Sequence, residues 1–141
     1  MSVRNKIEEA RVRAAIEAAE QRTSGEIVVS IAGWFWGNAE RAARHAFERL
    51  GIANTQRRNG VLVFVAPRRR RLIVLPDAAI DAVLGTAFCE AVVAAMAERF
   101  RTGDLTGGLV HGIELIATQL AVHFPRGADD RNELPDAVVR S

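Results

Sequence analysis

Thr23-Ser24-Gly25-Glu26-Ile27-Val28-Val29-Ser30-Ile31-Ala32 is the stretch on which the fold turns. Thr-Ser-Gly breaks what precedes it, and the β-branched run that follows favours a strand over a helix. Ile27, Val29 and Ile31 point one way from such a strand; Glu26, Val28 and Ser30 point the other. The loop Gly33-Trp34-Phe35-Trp36-Gly37 comes next. Asn38 is a good helix N-cap, Gly51 a good stop, and Ala42, Ala43, Ala46, Phe47 and Leu50 form an apolar stripe between them. Gly60 opens a second strand, Val61 to Ala66, apolar on both faces, as expected of a central strand covered by helices on both sides. A strand–helix–strand unit of this kind implies a right-handed parallel crossover. After Pro67 and the turn Arg68 to Arg70, Arg71 to Leu75 returns as a third strand, antiparallel to the second.

Working outward, Arg4 to Gln21 is rich in Ala, Glu and Arg and reads as a helix. Val12, Ile16 and Ala19 share one face, whereas Val3 and Ile7 fall nearly opposite. Either the helix begins late, or its first two turns bury against something else, a second copy of the chain included. On the other side, Pro76-Asp77 starts a long helix to about Phe100. Thr102-Gly103-Asp104 separates it from a last helix, Leu105 to about Phe124, which Pro125 ends. The predicted order is helix, strand, helix, strand, strand, helix, helix. The expected fold class is α/β, a three-layer α/β/α sandwich with a small mixed central sheet. Residues 1–125 are expected as a single domain and 126–141 as a polar C-terminal tail on the surface. No internal repeat is present.

Composition bounds the function. A chain of 141 residues makes one domain and hides roughly 70% of its unfolded surface. With 49% hydrophobic and 26% charged residues, the chain is neither disordered nor collagen-like. The single cysteine, Cys89, excludes an internal disulfide and a cysteine-based zinc site within one chain. The 19 basic residues, all arginine except Lys6, nearly balance 17 acidic ones, for a net charge of +2. No nucleic-acid partner is expected from such a balance; only a local patch would carry one. The charged N-terminus lacks a signal-peptide apolar run. Ala78 to Ala97, the most apolar stretch, is interrupted by Asp81 and Glu90 and reads as a buried helix, not a transmembrane segment. A cytoplasmic location is the expectation.

The topology collects chemistry at the two edges of the sheet. One edge gathers Thr23, Ser24, Glu26, Arg57, Arg58, Asn59, Asp77 and Asp81. Carboxylates with amide and hydroxyl oxygens suit a hard divalent cation such as calcium or magnesium, and such an ion clamps phosphate. Glu26 and Asp77 would be charged ligands, with Asp81 a third ligand or an outer acceptor. Arg57, Arg58, Asn59 and Ser24 would hold a phosphate, Asn59 also stabilising its turn. The structural alternative is that Asp77 caps the long helix, Asp81 favours its dipole, and Glu26 pairs with Arg57 or Arg58. The opposite edge gathers Trp34, Phe35 and Trp36, the helix start at Asn38, and Arg68 to Arg71. Basic side chains with aromatics suit an acidic partner, a phosphate or single-stranded nucleic acid by stacking, and the two tryptophans suit a protein contact or a membrane surface; alternatively, the arginines form a solvated turn and the aromatics cap the sheet.

His45, His111 and His123 fall on helices, none three or four residues from another histidine, so no helical zinc pair exists. Ser24 lacks recognisable triad partners. There is no Walker A run, no GxGxxG and no EF-hand loop, so no organic cofactor is expected. Cys89 reads as a core thiol.

Thr23-Ser24-Gly25-Glu26-Ile27-Val28-Val29 resembles the first-strand motif of the TPM domain family. Thr55 with Arg58-Asn59-Gly60-Val61-Leu62-Val63 resembles its second-strand motif. Phe100 to Leu109, with Gly103-Asp104 and Gly108-Leu109, is similar to the family's link between the last helices. His123-Phe124-Pro125 and Asn132-Glu133-Leu134-Pro135-Asp136 look like its soluble branch. The likeness covers about residues 7 to 136. It implies an α/β/α sandwich around a small sheet. It also implies either a weak phosphatase-like activity with calcium or another divalent ion at the strand edge, or an accessory role with protein partners. Where many relatives have a glycine-rich acidic turn, this chain has Leu75-Pro76-Asp77-Ala78-Ala79. The tryptophan-rich loop also differs from the typical member.

Two functions follow as expectations. One is a divalent-cation-binding, phosphatase-like domain using Glu26, Asp77 and Asp81. The other is a non-enzymatic protein-interaction module using Trp34 to Trp36 and Arg68 to Arg71. An unknown protein partner and a homo-oligomer are both left open.

Overall fold

The computed structural model describes residues 6–127 and 138–140. Their order is α1 (Glu9–Glu20), β1 (Glu26–Ile31), α2 (Ala39–Arg49), β2 (Gly60–Ala66), β3 (Arg71–Pro76), α3 (Ala78–Arg101), α4 (Leu105–His123) and β4 (Val138–Arg140), with single 3-10 turns at Ile52–Asn54 and Pro67–Arg69. The sheet order is β3-β2-β1-β4. β1 and β2 pair in parallel from Glu26↔Gly60 to Ile31↔Val65, and β2 pairs antiparallel with β3.

β1 and β2 are buried along their whole length, because both faces of the sheet are covered. On one face Ile27, Val29, Ile31, Val61, Val63, Val65 and Val74 pack against α1, α3 and α4. On the other, Val28, Leu62, Phe64 and Ala66 pack against α2 and Ile52. This is the three-layer α/β/α sandwich expected from strands without polar alternation.

Three features depart from the expectation. Val138–Arg140, taken as part of a polar surface tail, adds a fourth strand parallel to β1 through Val29↔Val138 to Ile31↔Arg140. Its run is short because only Val138 is buried; the side of β1 away from β2 was an open edge, and edges are blunted by short strands. Helix α1 begins at Glu9 and not at Arg4; of the two alternatives the sequence left open, the late start is the one found, so Ile7 precedes the helix and packs into the same core as Val12 and Ile16. The entry is pinned where Glu8 N donates to Thr106 Oγ1 at 2.9 Å and that hydroxyl donates to Lys6 O at 3.2 Å. Val3, its predicted companion, lies outside the described residues.

The third departure is α3. Expected as a buried helix, it buries Ile80, Cys89, Val92 and Met96 and leaves Val83 49% exposed. It is also broken at Gly85, whose φ of 72° and ψ of −179° belong to a region only glycine occupies readily. By length and composition α3 and α4 could each cross a membrane, a test that core helices also pass.

Candidate functional site

The three segments expected at one rim do meet there. Asn59 O accepts from Glu26 N at 3.1 Å, and Asp77 N donates to Gly60 O at 2.8 Å. The starts of β1 and β2 and the end of β3 thus share an edge. The side chains, however, are spent on holding it together. Arg58, in the left-handed region at φ 53°, forks onto Asp77: Nε donates to Oδ2 at 2.6 Å and Nη2 to Oδ1 at 2.7 Å. The same Oδ1 accepts from Ala78 N at 2.7 Å, capping α3. Burial alone would raise the Asp77 carboxyl, but the Arg58 hydrogen bonds, the Ala78 N–H and the Arg58 charge outweigh it and hold it below its ordinary value. Arg58 is raised in turn, first by its hydrogen bond to Asp77 and then by the carboxylate's charge.

Two of the residues expected to hold a phosphate, Asn59 and Ser24, also tie chain segments together. Asn59 Nδ2 donates to Ser24 O at 3.2 Å, tying the entries of the parallel strands. Ser24 N donates to Phe124 O at 2.9 Å and Thr23 Oγ1 donates to the same carbonyl, fastening the end of α4 to the head of β1. Arg57 has an interaction of its own. Glu26 is buried at 3% exposure and is not without a partner; Asp81 is exposed, one turn into α3. Among the described residues no group of three or more His, Cys, Asp or Glu side chains is placed to hold a metal ion. Arg58 engages both oxygens of Asp77 and the α3 cap shares one of them, so an ion held by Glu26, Asp77 and Asp81 would compete with Arg58 for that carboxylate.

The opposite edge is built differently. β1 delivers the loop at Gly33 to Gly37, and α2 leaves from it with Asn38 Oδ1 accepting from Arg41 N at 3.1 Å. Side chains alternate along the loop. Phe35 turns inward onto Phe64, with ring centroids 5.9 Å apart, while Trp34 and Trp36 turn outward at 65% and 87% exposure. The tryptophan rings meet edge to face at 5.5 Å. The arginine turn clamps the loop: Arg69 lies 4.4 Å from the Phe35 ring centre, and its Nη1 donates to Gly37 O at 2.6 Å. Arg71 pairs with Glu40, while Arg68 and Arg70 are exposed. Phe35 and Arg69, expected as contact residues, thus support the loop that displays Trp34 and Trp36, while Arg71 holds α2 through Glu40.

A cleft of about 310 Å³ opens beside the tryptophans, lined further by Arg41, His45 and Arg49 of α2. This row was missed from the sequence, although its i, i+4, i+8 spacing after Asn38 places it on one helix face.

The TPM domain family model matches residues 5–119. The BA42 protein of the psychrophilic bacterium Bizionia argentinensis is 31% identical, with a TM-score of 0.88 over 96% of this chain and 95% of that one. The N-terminal domains of a protein from P. gingivalis and of cg2496 from Corynebacterium glutamicum, each 16% identical, share the fold at TM-scores of 0.67 and 0.65. They are matched over 90% and 94% of this chain, and 82% and 81% of theirs. No curated protein gives a significant match. With its strand motifs, its sandwich and a family match spanning most of its length, this chain belongs to the TPM domain family.

Proposed function

We propose that this chain is a non-enzymatic interaction module that docks a protein partner through the edge formed by Trp34, Trp36 and the arginine turn. The observation that carries this is the display of two tryptophans, 65% and 87% exposed, on a loop held from behind by Phe35, Phe64 and Arg69. Large apolar side chains cost free energy in water, and a rigid loop holds them ready for a partner without further ordering. Tryptophan and arginine are the residues most enriched where partners bind tightly. The phosphatase-like, cation-binding reading draws its support from the family resemblance and from the carboxylates gathered at the other rim, where Arg58 already holds Asp77.

A photo-crosslinking amino acid placed at Trp34 or Trp36 in the native host is expected to trap discrete protein adducts. The same group at Arg13, exposed on α1 across the sheet, should trap none of them. Identical adducts from both faces, or none from the edge, would overturn the proposal.

A further inference from the structure

Arg41, His45 and Arg49 lie on α2, and α2 returns from the tryptophan edge towards the start of β2. At 1.5 Å per residue the row extends about 12 Å down the flank of the molecule. All three side chains line the same cleft as Trp34, Trp36 and Phe64, and none of the cleft's lining residues is acidic. Each of the three is exposed, and among the described ion pairs none involves them. Of the two acids on α2, Glu40 is taken by Arg71, and Glu48, beside Arg49 in the chain, does not line the cleft. The N-terminus of α2 opens at the same end, adding its partial positive charge.

The surface is thus a short groove: aromatic at one end, cationic along its floor, and longer than a single phosphate needs. We infer that it receives an acidic linear segment of a partner protein. Carboxylates of that segment would face Arg41 and Arg49, and an aromatic or aliphatic side chain would seat against Trp34 and Trp36. Arginine suits carboxylates because its fork makes two parallel hydrogen bonds, and tryptophan offers a flat apolar face with a polar N–H. A flat bilayer fits less well. A row about 12 Å long that shares one cleft with the tryptophans suits an extended chain. The inference rests on the docking edge proposed above and names the chemistry of what docks there.

Trp34 and Trp36 are the only tryptophans, so intrinsic fluorescence reports this groove and nothing else. The test titrates the protein with a short Glu/Asp peptide carrying one Phe, and with the same peptide in Gln and Asn. Inorganic phosphate, phosphatidylglycerol vesicles and a single-stranded oligonucleotide serve as rival occupants. The acidic peptide should shift the emission and the neutral one should not. Raising salt to about 0.3 M should weaken binding several-fold, because exposed charges are screened over that range. The double variant Arg41→Gln/Arg49→Gln should weaken it about tenfold or more, while Arg13→Gln leaves it unchanged. For Trp34→Ser/Trp36→Ser, anisotropy of a labelled peptide replaces the lost emission and should also show weakening. Equal binding of the neutral peptide, indifference to the Arg41/Arg49 change, or tighter binding of vesicles, phosphate or oligonucleotide would overturn the inference. If peptides fail while crosslinks at Trp34 and Trp36 persist, the acidic segment is wrong and the docking edge stands. If both fail, both readings fall.

Discussion

Replacing Asp77 with alanine separates a structural latch from an ion ligand. The carboxylate is 3% exposed, accepts from Ala78 N at the head of α3, and receives both prongs of Arg58. Loss of a helix cap costs about 1 kcal/mol, within a range of roughly 0.5–2. Arg58 is half exposed and simply regains water, so nothing is added for it. For a chain of this size about 1 kcal/mol shifts the melting midpoint by roughly 3–5 °C, so Asp77→Ala should melt about 5 °C below the parent. Asp77→Asn keeps a capping oxygen and should fall between them. The pH dependence has a definite sign. The folded carboxyl sits below its unfolded value, so its contribution is present above the unfolded pKa near 4 and is lost as pH falls through the folded one. The gap between parent and Asp77→Ala should therefore be flat from about pH 5 upward and close in acid. Thermal melting in EDTA and in millimolar calcium or magnesium provides the assay. A gap that vanishes in EDTA, or a parent midpoint that rises with the ion while that of Asp77→Ala does not, would refute the latch and restore the ligand.

Three further outcomes follow from the geometry. Trp34→Ser/Trp36→Ser should leave the melting midpoint within about 2 °C of the parent, because both rings are mostly in water; a collapse would assign them to the core. Gly85→Ala should destabilise by about 1–3 kcal/mol in urea unfolding, since alanine pays for φ 72°, ψ −179°; a stabilised variant would mean that α3 straightens without loss. The Cys89 thiol is pushed up to about 11, first by burial and then by the charges of Asp81 and Glu90. It should react with Ellman's reagent at pH 8 far more slowly in the folded protein than in guanidinium, and rapid native labelling would contradict that.

Much of the fold is legible locally. The all-apolar Val61 to Ala66 run can only be central, and Asn38 and Gly51 bracket their helix as capping chemistry requires. Where reading fails, the cause is a contact between distant residues. Val138–Arg140 is too short to announce a strand, and it becomes one because β1 has an open side. The length of α3 is visible in its composition, but its exposure is not, because an apolar helix reads the same whether or not neighbours cover it. The grouping of the rim residues is readable in the sequence, whereas the engagement of Asp77 by Arg58 is not. Grouping follows from strand order, whereas Asp77 as ligand or as latch depends on which guanidinium reaches it.

The order of elements, the parallel crossover and the two edges to which chemistry is delivered were determined by the sequence alone, because backbone preference and side-chain alternation act over a few neighbouring residues. Tertiary structure decided that Arg58 would spend its charge on Asp77, that Phe35 and Arg69 would brace the tryptophan loop, and that Arg41, His45 and Arg49 would share a cleft with it. Those outcomes rest on distances of a few ångströms between side chains far apart in the chain, and only the packed fold sets such distances.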